Sequence, residues 1–123
     1  MSAERIQQSP EAVFEQELEQ GRLAYQRCGT CHAAVFYPRL VCPMCASTDL
    51  RWEHSRGAGV LYAATTVRSR SGDYSVALID LDEGFRMMSR IADDGGPVMI
   101  GDRVRARLAS GMTLDALEFA KEG

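Results

Sequence analysis

No stretch of this 123-residue chain approaches the ~18 consecutive apolar residues that a membrane-crossing helix needs. The opening residues, Met1-Ser-Ala-Glu-Arg-Ile-Gln-Gln, lack the apolar core of a secretory signal. Both absences lead us to expect a cytoplasmic protein with no membrane association. Aromatic residues are few, at 7%, and there are only two histidines. No nucleophile elbow and no phosphate-binding glycine loop is present, and Gly57-Ala58-Gly59 is too short for a dinucleotide fingerprint. Excess positive charge is missing too. A net charge of −3 argues against a protein that coats nucleic acid through bulk charge. There is no internal repeat and no low-complexity segment. The remaining composition, 46% hydrophobic and 25% charged, is that of an ordinary globular chain and excludes wholesale disorder.

Charge is unevenly spread. Through Leu50 there are four basic residues (Arg5, Arg22, Arg27, Arg39) against six acidic ones. From Arg51 onward there are ten against eleven, and nine of those ten are arginine. Arginine suits bidentate phosphate contacts, so this part is where an anion site is expected. A general preference for arginine over lysine accounts for the same count.

Ser9-Pro10-Glu11 reads as a helix start, with Ser at the N-cap, Pro at the first helical position and Glu at the positive dipole end. The helix is expected to run to about Gln20, with Gly21 as its stop. Its apolar stripe of Val13, Phe14 and Leu18, with Leu23 beyond, must dock on its own domain or on a partner, because so short a helix is marginal alone. Farther along, turn signals at Gly57/Gly59, Ser71-Gly72-Asp73, Asp82-Glu83-Gly84, Asp93–Pro97, Gly101-Asp102 and Ser110-Gly111 separate short runs. Those runs are Val60–Arg68, Tyr74–Leu81, Phe85–Ala92 and Arg103–Ala109, and they predict a small all-β sandwich or barrel. Two alternate cleanly. Val104, Ala106 and Leu108 oppose Arg103, Arg105 and Arg107, while Phe85, Met87 and Ile91 oppose Arg86, Met88 and Arg90. Period two with one apolar face means antiparallel strands covering a core on one side.

Between helix and barrel come Cys28-Gly-Thr-Cys31 and, after ten residues, Cys42-Pro-Met-Cys45. Thiolates two residues apart let one tight knuckle supply two of the four tetrahedral positions that Zn²⁺ wants. Two knuckles close the shell, so no position is left on which the metal could activate water, and the expected site is structural. In finger peptides such binding is worth on the order of 10 kcal/mol, which offsets the lack of a ribbon core. Iron suits the same four sulfurs. Cys28-Gly-Thr-Cys31-His32 also spells a c-type haem attachment motif, but that reading leaves Cys42 and Cys45 without a role. A redox C-x-x-C would sit beside a βαβ pattern, and none surrounds it.

With the cysteines committed, His32 and His54 are the only groups that titrate near neutrality unperturbed, and both read as exposed or structural. Asp80, Asp82 and Glu83 look like a carboxylate cluster, but Asp82-Glu83-Gly84 between two strands is turn chemistry first. No catalytic residue is assigned, and a binding or accessory role is expected.

The order of parts resembles the family of OB-fold proteins with an N-terminal rubredoxin-like zinc ribbon, long called domain of unknown function 35. The resemblance runs from about Phe14 to Leu108. It is carried by Gly21 with Leu23, Phe36-Tyr37-Pro38-Arg39 before Cys42-Pro43-Met44-Cys45, and Gly57–Tyr62 with Thr65-Thr66-Val67. Leu81-Asp82-Glu83-Gly84 with Arg86, and Ile100-Gly101-Asp102-Arg103-Val104, complete it. It implies a mainly β fold: a helical segment over 1–21, a zinc ribbon over 22–53 and a five-stranded OB barrel over 54–123. It also implies a non-catalytic accessory subunit of a thiolase-fold enzyme, whether thiolase, acyltransferase or aldolase, in a hetero-oligomer. Ribbon and helix would dock, and the barrel would bind acyl-CoA. Arg39, Arg56, Arg68, Arg70 and Arg86 are the candidates for its phosphates and adenine. The chain departs from the family pattern at its end, where Leu114–Phe119 replaces a Pro-Phe-Pro-like segment. An alternative use of ribbon and barrel is single-stranded nucleic-acid binding. Net acidity and the lack of aromatics interleaved with basic residues argue against it.

Overall fold

The computed structural model describes residues 9–72, 74–92 and 96–122. Helix α1 spans Pro10–Glu19. Ser9 caps it, its Oγ accepting the Ala12 N–H at 3.1 Å, and Pro10 occupies the first helical position, where its missing N–H costs nothing. At the other end Gly21 adopts φ +84°. Its N–H donates to Leu18 O (2.9 Å), and the Arg22 N–H donates to Glu17 O (2.9 Å). This pair of bonds is the Schellman stop that a glycine permits.

The helix stripe docks on its own chain. Phe14 and Leu18 are 2% and 1% exposed, and the Phe14 ring meets Phe36 edge-on at 5.4 Å. The alternative of docking that stripe on a partner is therefore overturned, because neither side chain is available to one.

The ribbon is a three-stranded antiparallel sheet in the order β2-β1-β3, with β1 Leu23–Cys28, β2 Ala34–Val35 and β3 Leu50–Ser55. Central β1 is buried almost throughout. Five strands follow: β4 Ala58–Val67, β5 Tyr74–Leu81, β6 Arg86–Ser89, β7 Arg103–Ala106 and β8 Phe119–Lys121. Their order is β6-β5-β4-β7-β8, all antiparallel. The two edges then meet. Ile91 pairs in parallel with Phe119, through Phe119 N–H to Arg90 O (2.9 Å) and Ala92 N–H to Phe119 O (2.8 Å). Closure removes both sheet edges and makes a five-stranded barrel of OB type. The atypical tail thus supplies the closing strand: Leu117 and Phe119 are fully buried.

Curvature is built in locally. A bulge in β4 between Leu61 and Ala63 shifts its register against β5. At Gly59 a Cβ would lie 2.3 Å from Asp80 O, so only glycine lets the two strands approach there. One apolar core runs through all three parts, joining Phe14 and Leu18 of the helix to Leu23 and Tyr25 of β1 and to Leu61, Ile79, Met87 and Phe119 of the barrel. At the ribbon–barrel joint Phe85 stacks on Phe36 at 5.0 Å and meets Tyr25 at 4.9 Å. No helix among the described residues is long and apolar enough to cross a membrane.

Candidate metal centre and surface sites

Strand β1 ends at Cys28, and the chain turns at once to bring Cys31 back; the second knuckle does the same with Cys42 and Cys45. All four Sγ atoms lie within 4.8 Å of one another. Cys28 and Cys45 Sγ are 3.6 Å apart, and Cys31 and Cys42 Sγ 3.7 Å. A tetrahedron of ~2.3 Å Zn–S bonds has edges of ~3.8 Å, so the donor set fits one ion. Backbone amides reinforce the knuckles: Thr30 and Cys31 N–H donate to Cys28 Sγ, and Met44 N–H to Cys42 Sγ, each at 3.4 Å.

The same geometry disfavours four bare thiolates. The Cys31 amide, joined by that of Thr30 and opposed by burial, pulls the Cys28 thiol down to about 6. At Cys45 the Ser47 amide pulls the same way, but burial and the three neighbouring sulfurs win and push that thiol up to about 12. A dication between them removes the conflict.

The five candidate arginines do not converge. Arg39 is exposed on the ribbon, its backbone fixed by the buried Gln26 side chain, which accepts the Arg39 N–H (2.7 Å) and donates to Arg39 O (2.9 Å). Arg56 precedes β4, where its N–H donates to Glu83 Oε2 (2.9 Å). Arg68 and Arg70 lie at the far end of β4, in the turn before β5. Ten strand residues at ~3.3 Å each put up to about 30 Å between Arg56 and that turn. Arg86 is engaged. It donates to both oxygens of Asp80, at 2.6 and 3.2 Å, and its guanidinium lies 3.5 Å over the Tyr62 ring.

The carboxylate cluster resolves into structural pairs. Asp80 holds Arg86, and Asp82 holds Arg103 bidentately at 2.8 and 2.7 Å. Glu83 accepts from Ser55 Oγ (2.7 Å) and pins the ribbon–barrel joint. His54 Nε2 lies 2.6 Å from Glu17 Oε1, tying β3 to α1, and His32 is exposed beside its knuckle.

Residues 16–51 match the family model described as the ChsH2 rubredoxin-like zinc ribbon domain, and residues 52–109 match that of the ChsH2 C-terminal OB-fold domain. The two models abut and follow in the family's own order. The chain belongs to the ChsH2 family. Two solved structures share its fold. The "Ltp2-ChsH2(DUF35) aldolase" is similar at 24% identity and TM-score 0.74, over 95% of this chain and 97% of that one. A DUF35-family protein of unknown function from Sulfolobus solfataricus is similar at 17% identity and TM-score 0.69, over 98% and 92%. No curated protein matches the sequence.

For a ChsH2-family chain, the features that sequence reasoning missed are exposed apolar side chains. On the ribbon, Leu40 is 74% and Met44 76% exposed, with Tyr37 and Val41 beside them in sequence. On the barrel, Tyr62, Met88, Met99 and Ile100 are exposed. The signal for the first group was available: Met44 sits in the Cys42-Pro43-Met44-Cys45 knuckle, where no core exists to receive it.

Proposed function

We propose that this chain is a non-catalytic accessory subunit that docks on a thiolase-fold enzyme, in a hetero-oligomer, and binds or positions its acyl-CoA. In this reading Cys28, Cys31, Cys42 and Cys45 hold one structural Zn²⁺. The observation that carries it is the likeness, over nearly the whole of both chains, to the "Ltp2-ChsH2(DUF35) aldolase", whose name joins a DUF35 chain to an aldolase. Apolar side chains standing out from the ribbon suit a surface that is covered in a complex. A non-catalytic role agrees with the ion pairs and hydrogen bonds that occupy Asp80, Asp82, Glu83 and His54.

For the acyl-CoA, Arg39, Arg56, Arg68, Arg70 and Arg86 divide the work by position. Arg68 and Arg70, two residues apart in one turn, suit a pyrophosphate. Arg86, flat against Tyr62, offers a stacked surface of the kind an adenine recognises. The test is a pull-down of the tagged protein from its native host's extract with nuclease present, the eluate identified by mass spectrometry. A thiolase-fold protein in stoichiometric amount is expected. No such partner, together with nucleic acid recovered when nuclease is omitted, would replace this reading with single-strand nucleic-acid binding.

A further inference from the structure

Glu11, Glu15 and Glu19 recur at every fourth residue of α1, so they form one edge of the helix with steps of about 6 Å. Like charges at this spacing oppose helix formation. None of the three carboxylates has an ion pair or hydrogen bond among the described residues, whereas Glu17, on another face, is taken up by Arg22 and His54. Among the described residues, then, an unneutralised acidic edge runs beside the buried face of Phe14 and Leu18.

Beside that edge runs a groove of about 390 Å³ between α1 and the segment preceding β8. Its floor is apolar: Met112 and Leu114 are partly buried, with Phe14 and Leu18 beneath. Its rim is Glu11, Glu15, Glu19 and Asp115, and no basic side chain among the described residues lines it. Past Tyr37 a second hollow of about 400 Å³ leads on toward Pro38, Arg39 and Leu40, so the purely acidic stretch ends at Tyr37. The acidic edge follows α1, whose ten residues at ~1.5 Å each span ~15 Å, nearly three helical turns.

We propose that this groove receives a cationic amphipathic segment of the partner enzyme. Its apolar side chains lie on Met112 and Leu114, and its lysines or arginines, repeating every fourth residue, face the Glu11–Glu15–Glu19 edge. Charge complementarity selects this occupant. The acidic rim repels the phosphates of CoA, of nucleic acid and of an anionic membrane surface alike, while an apolar floor with a one-signed rim matches the helix-in-groove mode of peptide recognition. The inference rests on the accessory-subunit reading only for the source of the segment.

The test uses the full chain and a fluorescein-labelled peptide of about 15 residues, with leucines along one helical face and lysines at four-residue spacing beside it. Fluorescence anisotropy reads its affinity, and amide chemical shifts map its site. Glu15→Gln/Glu19→Gln is expected to weaken binding about tenfold. Thr48→Lys/Thr66→Lys, which changes the net charge by the same amount at two exposed positions elsewhere, should change it less than about twofold. Shifts should cluster at residues 11–19 and 112–115. Equal weakening by both double variants, or shifts scattered over the surface, would mean bulk charge alone and would overturn the proposal. So would binding seen only after deletion of residues 1–8, because Arg5 and Ile6 of the chain itself would then be the occupant. A pull-down without a thiolase-fold partner sinks the accessory-subunit reading and leaves the titration result standing, so the two failures are distinct.

Discussion

Replacing Cys42 by serine removes one of four thiolates from a site that has nothing else to hold it. The cluster around it consists of Cys28, Val35 and Cys42, with Ala33 and Leu50 partly buried. Val35 is the one fully buried aliphatic side chain there, worth ~2 kcal/mol. Structural zinc in finger peptides contributes ~10–16 kcal/mol, so a zinc ion held by these four cysteines would stabilise this end of the ribbon several times more than its packing does. Loss of the metal should nevertheless stay local. Leu23 and Tyr25, at the other end of β1, belong to the main core, and Trp52 of β3 packs against it. For Cys42→Ser we expect zinc content, measured by elemental mass spectrometry, to fall from one per chain to near zero. The amides of Cys28, Gly29 and Cys42, which bond to Ala33 O, Asp49 O and Ser47 O, should lose hydrogen-exchange protection. Trp52 fluorescence and the barrel's β signal should hardly change. A Cys42→Ser protein that kept full zinc and those protected amides would refute the structural role of the site. Global unfolding would show instead that the core is not held independently of the metal.

Three other outcomes follow from the packing. Phe14→Ala should lower unfolding free energy by ~3–5 kcal/mol, the cost of deleting a buried aromatic, as read by chemical denaturation; a loss below ~1 kcal/mol would mean that the helix is not part of the core. Gly59→Ala must push β4 away from Asp80 O and should cost at least as much as an average core substitution, more than ~1 kcal/mol, with no loss if the strands are already apart. Glu17 is held at about 2 instead of 4.5, first by its hydrogen bond from Arg22 and also by His54. A carboxylate lowered by folding stabilises the fold above its unfolded pKa, and that stability is lost as pH falls. Glu17→Gln should therefore flatten the decline in melting temperature between about pH 4.5 and pH 2. An unchanged acid profile would show that Glu17 is not so held.

Local chemistry made much of the fold legible in the sequence. Ser9-Pro10 and Gly21 mark the helix because capping is decided by a few neighbouring residues, and those bonds are the ones observed. Cysteine spacing foretells the clustering of the four thiols for the same reason, and strict alternation places Val104 inward and Arg103 and Arg105 outward. What escaped depends on distant chain. Strand β8 is three residues long and exists because Phe119 fills the barrel and pairs with Ile91, and no local period announces it. Arginine alone does not declare its partner: Arg86 reads as free for a phosphate until strand register sets Asp80 opposite it. The docking target of Phe14 was equally hidden, since Phe36 and Tyr37 lie beyond the helix and the whole of β1.

An accessory subunit changes another enzyme's work without doing any of its own. The measurement is the kcat/KM for an acyl-CoA substrate of the thiolase-fold enzyme recovered with it, assayed with and without this chain, beside the chain alone. We expect the pair to exceed the enzyme alone and the isolated chain to show no turnover. An unchanged kcat/KM on saturation with the chain, or turnover by the chain by itself, would contradict the accessory-subunit assignment.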